Sequence, residues 1–216
     1  MNRFPIIILI ITVALDMLGF GIIIPVLPIY ADQLGAEEWV IGLIGTSFAA
    51  AQFMFTPFWG GLSDRVGRKP VLLYSIAIIA CSYFILSVAD TLLLVFIARI
   101  IAGIGAGNLS VAQAFISDSI IPAKRAKHFG YLGAAFGIGF ILGPPLGGWL
   151  KVNFGIEGLG LVAGGISILN LGLVYFLLPE SLKQKSPDST IFRNPFSEIQ
   201  AILPRKELRG ILMIHL

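Results

Sequence analysis

The chain contains six apolar runs, each about as long as a membrane is thick. They occur at about 4–27, 39–59, 71–88, 92–116, 129–149 and 159–178. An α-helix needs ~20 apolar residues to cross ~30 Å of hydrocarbon, because each residue adds about 1.5 Å. A hydrophobic fraction of 56% and a mean hydropathy of +0.91 are too high for a water-soluble domain. The sequence therefore predicts an all-α membrane protein with six transmembrane helices.

Positive charges fall almost entirely on one side of this topology. Six spans place both chain ends on the same side of the bilayer. Of the 15 Lys and Arg residues, only Lys151 falls on the opposite side and Arg99 within a span, which leaves thirteen on the side of the ends. Positive charge is retained in the cytoplasm. We therefore expect a multi-pass protein of the cell (inner) membrane, with the lipid bilayer as a partner and both ends cytoplasmic.

Several other classes of function are disfavoured by the same sequence. The net charge of +3 comes from short basic loops, so no nucleic-acid partner is predicted. The glycine-rich segment 103–107 has no preceding strand, which argues against a dinucleotide site. An intramembrane hydrolase would need a nucleophile such as Ser47 beside a histidine, but both histidines lie at membrane edges. Neither an enzyme activity nor a metal or cofactor is predicted.

Two charged residues fall inside the predicted spans. Asp16 has about ten apolar residues on each side, and an ionised carboxylate there costs at least a few kcal/mol unless it meets water, a cation or a proton. Arg99 cannot lose its proton, so it must face water, a carboxylate or backbone carbonyls. Helical spacing places Gln113 on the same face as Arg99, and Gln52 lies within an aromatic stripe of the second span. These four are the candidate proton and substrate residues.

A short basic stretch, residues 60–72, separates the second and third spans and predicts a tight cytoplasmic turn. Its charged residues are Asp64, Arg65, Arg68 and Lys69. The spacing Gly-x-Leu-x-Asp-Arg-x-Gly-Arg-Lys closely resembles the loop between the second and third helices of major facilitator superfamily transporters. The resemblance implies a gating cluster made of these four residues and Asp118, which ends the fourth helix.

Three further patterns carry the same resemblance. The run Asp-x-x-Gly-x-Gly-x-x-x-Pro-x-x-Pro from Asp16 resembles the first helix of the superfamily's drug:proton antiporters. Arg-x-x-x-Gly-x-x-x-Gly from Arg99 is similar to its fourth-helix motif. The fifth span matches the antiporter motif at Gly130, Gly139, Gly143, Pro144, Gly147 and Gly148. Generic helix packing would explain these glycines but not prolines in register, and Pro144 with Pro145 is expected to kink the helix.

The resemblance implies the N-terminal six-helix half of a twelve-helix fold, built as two inverted three-helix repeats. We expect a bundle at 1–178, a cytoplasmic linker with a short amphipathic helix at 179–210, and the start of a seventh span at 211–216. A C-terminal six-helix half, absent from this chain, would then be its partner. The implied function is proton-coupled export of small amphiphilic or drug-like molecules, in exchange for protons.

The charged residues would each have a role in this exchange. Asp16 would carry the proton, and Arg99 would either stabilise its ionised form or bind a substrate anion. Arg68 would pair with Asp118, and Asp64 would meet a helix of the other half. Ser82 stands where the tetracycline exporters have an acidic residue, which argues against tetracycline as the substrate. A nutrient symporter or facilitator of the same fold, and an incomplete inactive half-transporter, remain as alternatives.

Overall fold

The computed structural model describes residues 4–182, and their regular structure is entirely α-helical. The helices are α1 (Phe4–Ile23), α2 (Val26–Gln33), α3 (Glu38–Val66), α4 (Arg68–Ser87), α5 (Leu92–Gly105), α6 (Asn108–Ser119) and α7 (Pro122–Leu177). The predicted amphipathic helix of the linker and the predicted start of a seventh span lie outside the described residues.

Helix α7 spans 56 residues but reverses direction at Gly155, whose φ of 65° and ψ of −165° are not helical. Before this glycine, Gly147 lies against Ile22 near the end of α1. After it, Asn170 hydrogen-bonds to the carbonyl of Thr12, on the earlier part of α1. The chain has therefore turned back across the bundle. Within residues 4–182, five helical stretches are long and apolar enough to cross a membrane when α1 is counted with α2 and α5 with α6. The two arms of α7 make this six segments, which confirms the predicted six-helix fold.

The first and fourth segments are each divided into two shorter helices, the first segment beyond its middle and the fourth at its middle. Helix α1 ends at Ile23 and α2 begins at Val26, with Pro25 between them. Helix α5 ends at Gly105 and α6 begins at Asn108. These are the first segments of the two predicted three-helix repeats, and half-helices of this kind line the central sites of many transporters.

The break between α5 and α6 frees backbone carbonyls inside the membrane, where each unsatisfied polar group costs several kcal/mol. Side chains from α3 and α4 bond to them. Trp59 Nε1 donates to the Ile104 carbonyl, Ser75 Oγ to that of Gly105, and Gln52 Nε2 to that of Ala106 at 3.3 Å. The break is thus stabilised by its neighbours, and it places Asn108 at the first position of α6.

Helices extend further into the basic loops than the apolar runs suggested. The expected turn at 60–72 is helical except at Gly67, whose φ of 118° is the left-handed region that favours glycine. Between the predicted spans 92–116 and 129–149, only residues 120–121 lie outside a helix. Apolar length marks where a helix meets hydrocarbon, but backbone hydrogen bonding continues into the interface.

The buried side chains form two apolar clusters, one toward each end of the bundle. One contains Leu9, Leu72 and Phe115, and the other contains Ile22, Leu86 and Leu159. Asp16 lies between the two clusters along α1. Many large apolar side chains on the outer surface are exposed, among them Phe53 (59%) and Leu169 (73%), as expected for helices that face lipid.

Candidate functional site

Asp16 is buried in the middle of the bundle and is held by two asparagine amides. Its side chain is 5% exposed. The Asn170 Nδ2 donates to Asp16 Oδ1 at 3.0 Å and to the Thr12 carbonyl at 3.1 Å, and Asn108 Nδ2 donates to Asp16 Oδ2. Both asparagines are themselves buried. The carboxylate on α1 therefore meets neutral donors from two other helices, α6 and α7, with no cation among the described residues paired to it.

The helix breaks explain how these three side chains converge. Asn108 is the first residue of α6, so the interruption after Gly105 turns its amide toward α1. Asn170 lies on the returning arm of α7, which brings it back to the level of Asp16. The Asn170 Oδ1 is buried and has no hydrogen-bond partner. An amide offers either an acceptor or a donor on rotation, so Asn170 has the means to bind Asp16 in its ionised or its protonated form.

A cavity of about 180 Å³ opens beside Asp16. Its wall is mostly apolar and aromatic, with a few polar groups. The lining residues are Asp16, Met17, Phe20, Phe48, Gln52, Ile79, Tyr83, Ala102, Ala106, Asn108, Leu109 and Phe136. An apolar chamber with a small number of directed polar groups is the usual form of a small-molecule site. Gln52 lines this cavity while its amide group also bonds to the α5 carboxyl end.

Arg99 lies in a separate, adjoining cavity and does not pair with Asp16. Its guanidinium carbon lies over the Phe48 ring, 4.2 Å from the centroid, and 5.9 Å from that of Phe20. The side chain is 5% exposed, and its Nε has no hydrogen-bond partner. From the sequence, Arg99 was expected either to stabilise the ionised form of Asp16 or to bind a substrate anion. The structure shows no Arg99–Asp16 contact that would support the first role.

Two other residues singled out from the sequence lie outside both cavity linings. Gln113 on α6 is exposed, and its backbone carbonyl accepts a hydrogen bond from Ser117. Ser82 on α4 is buried and donates to the Ile79 carbonyl at 2.7 Å.

The charged residues at the other end of the bundle meet in one cluster, centred on Arg68. Arg68 Nη1 is 2.6 Å from Asp64 Oδ1, and its Nε is 2.8 Å from Asp118 Oδ2. Nη1 also donates to Ser63 Oγ at 2.6 Å. The Arg68 side chain is only 7% exposed, against 37% for Asp64 and 27% for Asp118. One buried guanidinium therefore joins the ends of α3, α4 and α6.

A further acidic residue, Glu180, reaches this cluster from just beyond α7. Its carboxylate accepts the backbone N–H of Arg68 at 2.9 Å and that of Lys69 at 3.1 Å. It thereby satisfies free donors at the start of α4, where negative charge is favoured. Lys69 extends the same junction, because its Nζ donates to the Tyr175 carbonyl at 2.8 Å. The start of the linker is thus attached to the basic turn.

The glycines of the fifth segment form a groove against α1. A Cβ on Gly139 would lie 2.5 Å from the Ala14 carbonyl oxygen, and one on Gly143 would lie 2.5 Å from Gly21 Cα. Gly147 is equally close to Ile22. Direct backbone contact of this kind is how small residues bring membrane helices together.

The other motif positions of the fifth segment behave differently. Gly130 and Gly148 have nothing within 4 Å of an added Cβ. Pro144 and Pro145, which were expected to kink the helix, lie within helical backbone. Within α7, only Gly155 has non-helical backbone dihedral angles.

Comparison with known proteins now places the chain in a family. The sequence model described as Major Facilitator Superfamily matches residues 9–216. The chain belongs to the major facilitator superfamily. This is a family of membrane transporters rather than enzymes, and the long apolar helices agree with it.

Its relatives include bacterial drug-resistance proteins. The class H tetracycline resistance protein of Pasteurella multocida is 44% identical over 69% of this chain and 38% of its own length. The class C protein of Escherichia coli is 36% identical over 88% of this chain and 48% of its own. The quinolone resistance protein NorA of Staphylococcus aureus is 34% identical over 78% and 45%. The chain thus spans about half or less of the length of each.

Solved structures of the superfamily share the fold. The human organic anion transporter MFSD10 (TETRAN) superposes with a TM-score of 0.75 at 27% identity, covering 90% of this chain and 51% of that one. A peptide transporter in complex with sulfate gives a TM-score of 0.72 at 18% identity, which speaks for the fold alone.

The glycine groove yields a stability prediction. We expect Gly143→Ala to destabilise the protein by about 1–3 kcal/mol, because the added Cβ must push α1 and α7 apart. Gly148→Ala, on the exposed face of the same helix, is the matched control and should be neutral or slightly stabilising. Thermal unfolding of the two full-length variants in detergent measures the difference. Equal melting temperatures would contradict the close contact.

Proposed function

We propose that this chain is the proton-translocating N-terminal half of a secondary transporter that exports small amphiphilic molecules in exchange for protons. The observation that supports it most is Asp16, a buried carboxylate held by two neutral amides at the wall of a mid-membrane cavity. A carboxylate tied to a fixed cation has little tendency to accept a proton. For a carboxylate held by amides, the ionised and protonated forms differ less in free energy. Such a group can therefore bind and release a proton in each transport cycle.

The exchange would work through competition for the same cavity. With water or a polar substrate group present, Asp16 is ionised and accepts the amide N–H groups of Asn108 and Asn170. When the cavity dries, protonation removes the charge, and the free Oδ1 of Asn170 supplies the acceptor that the new O–H needs. Proton and substrate would then occupy the cavity alternately, which is antiport.

The aromatic wall indicates the kind of substrate. Phe20, Phe48 and Phe136 favour flat, largely apolar molecules that carry a few polar groups. Tetracyclines and quinolones, named for the relatives, are suitable first probes. Because Ser82 replaces the acidic residue that the tetracycline exporters are expected to carry, we expect tetracycline to be the poorer substrate.

The cluster around Arg68 would serve as a gate latch. Its two carboxylate contacts hold α3, α4 and α6 together at the predicted cytoplasmic end, and Glu180 adds the start of the linker. We infer that these contacts stabilise the outward-facing state and break when the cytoplasmic side opens. A second six-helix half, beginning after the predicted linker at 179–210, would complete the cavity.

The proposed orientation gives a labelling prediction. Lys124, at the start of α7, should face the cytoplasm, and Asn153, beside the Gly155 reversal, should face outside; both side chains are exposed. Each is replaced by cysteine in a Cys81→Ser background and treated with an impermeant thiol reagent. On intact cells only the Asn153→Cys variant should react, and lysis should expose Lys124→Cys. The reverse pattern would contradict the orientation.

Transport in cells tests the function as a whole. Cells that lack their own drug pumps and express the full-length protein should accumulate less of a fluorescent quinolone than control cells. Collapsing the proton gradient with an uncoupler should restore accumulation to the control level. Export that persists in uncoupled, energy-depleted cells would contradict proton coupling.

A further inference from the structure

The cavity around Arg99 is distinct from the one that contains Asp16. It has a volume of about 240 Å³ and lies toward the α2 end of the bundle. Its lining residues are Phe20, Ile24, Leu27, Pro28, Ala31, Ile41, Ile44, Gly45, Phe48 and Arg99. Only Phe20 and Phe48 are shared with the lining of the first cavity.

Arg99 is the one charged residue in this lining, and its charge is not neutralised by any described residue. The structure gives it no ion pair, and its contacts are to the faces of Phe48 and Phe20. Nε is buried without an acceptor. A buried cation costs free energy unless it is paired and hydrogen-bonded. Because a guanidinium keeps its proton, this group requires acceptors, and an anion brought into the cavity would supply both the acceptors and the opposite charge.

The shape and chemistry of the cavity define that anion. Guanidinium N–H groups lie in one plane and match the two oxygens of a carboxylate. The rest of the wall is aliphatic or aromatic, and an apolar cavity of about 150 Å³ is enough for a benzene ring. A volume of about 240 Å³ therefore accommodates one or two rings with a carboxylate attached. A single positive charge in an apolar surround favours a monoanion over a doubly charged phosphate ester.

We propose that the Arg99 cavity is a binding subsite for aromatic carboxylates. The carboxylate binds the guanidinium, and the ring packs between the aliphatic wall and Phe20. The proposal names a ligand class for the exporter suggested above and rests on that function. Binding, however, is measured without transport, so each of the two claims is tested separately.

The ligand probe is 1-naphthoate, with 1-naphthamide as its neutral isostere. Binding to the full-length protein in lipid nanodiscs is measured by equilibrium dialysis at neutral pH. We expect wild-type protein to bind naphthoate at least tenfold more tightly than naphthamide, because hydrogen bonds between two charged groups are stronger than those to a neutral amide. Arg99→Gln should remove that preference and leave naphthamide binding unchanged.

A second pair of variants fills the cavity without touching Arg99. Gly45 lines the cavity and has nothing within 4 Å of an added Cβ, so Gly45→Leu should place its side chain in the open space. Gly42 lies one turn earlier on α3, is equally unobstructed and does not line the cavity, so Gly42→Leu is the matched control. We expect naphthoate affinity to fall at least tenfold with Gly45→Leu and to be retained with Gly42→Leu.

Two results would overturn the proposed subsite. Equal affinity for naphthoate and naphthamide would overturn the proposal, and would indicate that residues beyond those described already neutralise Arg99. Loss of naphthoate binding in both leucine variants would also overturn it, because the effect would not depend on the cavity. Asp16→Asn should leave naphthoate binding intact while stopping exchange, which distinguishes failure of the subsite from failure of proton coupling.

Discussion

Replacing Asp16 with asparagine is expected to abolish proton-coupled export while leaving the amount of folded protein unchanged. Asparagine has the shape of a protonated Asp16: its Oδ1 can accept the N–H of Asn108, and its Nδ2 can donate to the Oδ1 of Asn170 once that amide rotates. It has no proton to exchange. The variant should therefore remain in the state that corresponds to protonated Asp16. Because the carboxylate is buried, removing its charge should not lower stability.

The control for this variant is Asp32→Asn, which removes a carboxylate at the exposed end of α2. Both variants are reconstituted in proteoliposomes at matched density, and quinolone efflux driven by an imposed pH gradient is followed. We expect the Asp16 variant to match empty liposomes and the Asp32 variant to match wild type. Gradient-driven efflux by the Asp16→Asn variant at the wild-type rate would mean that the proton is carried elsewhere.

The second large effect is expected at the Arg68 cluster. Arg68→Gln leaves Asp64 and Asp118 without their cation, and Asp118→Asn leaves the buried guanidinium short of one partner. Breaking a buried pair costs on the order of 3–5 kcal/mol. The lower end applies here because Asp118 is 27% exposed. A few kcal/mol is what separates two conformers, so either change should redistribute inward- and outward-facing populations and slow transport.

A double-mutant cycle on the transport rate tests this contact. Arg68→Gln and Asp118→Asn together should be less harmful than the sum of the single changes, by at least about 1 kcal/mol. Lys69→Gln is the matched control, since Lys69 is the next residue of α4 and bonds to the Tyr175 carbonyl rather than to Asp118. Its cycle with Asp118→Asn should be additive. Additivity in the Arg68 cycle would show that the contact has no part in gating.

The six-segment fold could be predicted from the sequence, because apolar length fixes the number of spans. The predicted kink was placed at Pro144 and Pro145, whereas the breaks follow Ile23 and Gly105, close to Pro25 and Gly107. The Gly155 reversal was also implied, because two apolar runs lie on either side of it. The number of spans and this reversal depend on residues that are close together in the sequence, so the length and spacing of the apolar runs are enough to predict them.

The partners of Asp16 could not be predicted in the same way. Asn108 and Asn170 are 92 and 154 residues away in sequence, so no helical spacing relates them to Asp16. An amide within an apolar run was the available signal, since buried amides in membranes require partners. Glu180 was missed for a similar reason, because its contacts with α4 span 112 residues.

The partners of Arg99 could not be predicted from its charge. The sequence places both Arg99 and Asp16 inside predicted membrane spans, and opposite charges in a low dielectric attract strongly. In the structure the two form no ion pair: the guanidinium lies over the rings of Phe48 and Phe20, and Asp16 accepts from two asparagines. Side-chain packing, rather than charge, decides which partner each group meets.

The central claim is that substrate and proton exchange through Asp16, and the most direct test is to drive protons with substrate. Proteoliposomes containing the full-length protein are loaded with a quinolone and a pH-sensitive dye, with equal pH inside and outside and the membrane potential clamped. Empty liposomes correct for proton movement from the drug itself. As the drug leaves, the lumen should acidify with wild type and with Asp32→Asn, but not with Asp16→Asn. Carrier-dependent drug efflux with no pH change, or with alkalinisation of the lumen, would contradict the account.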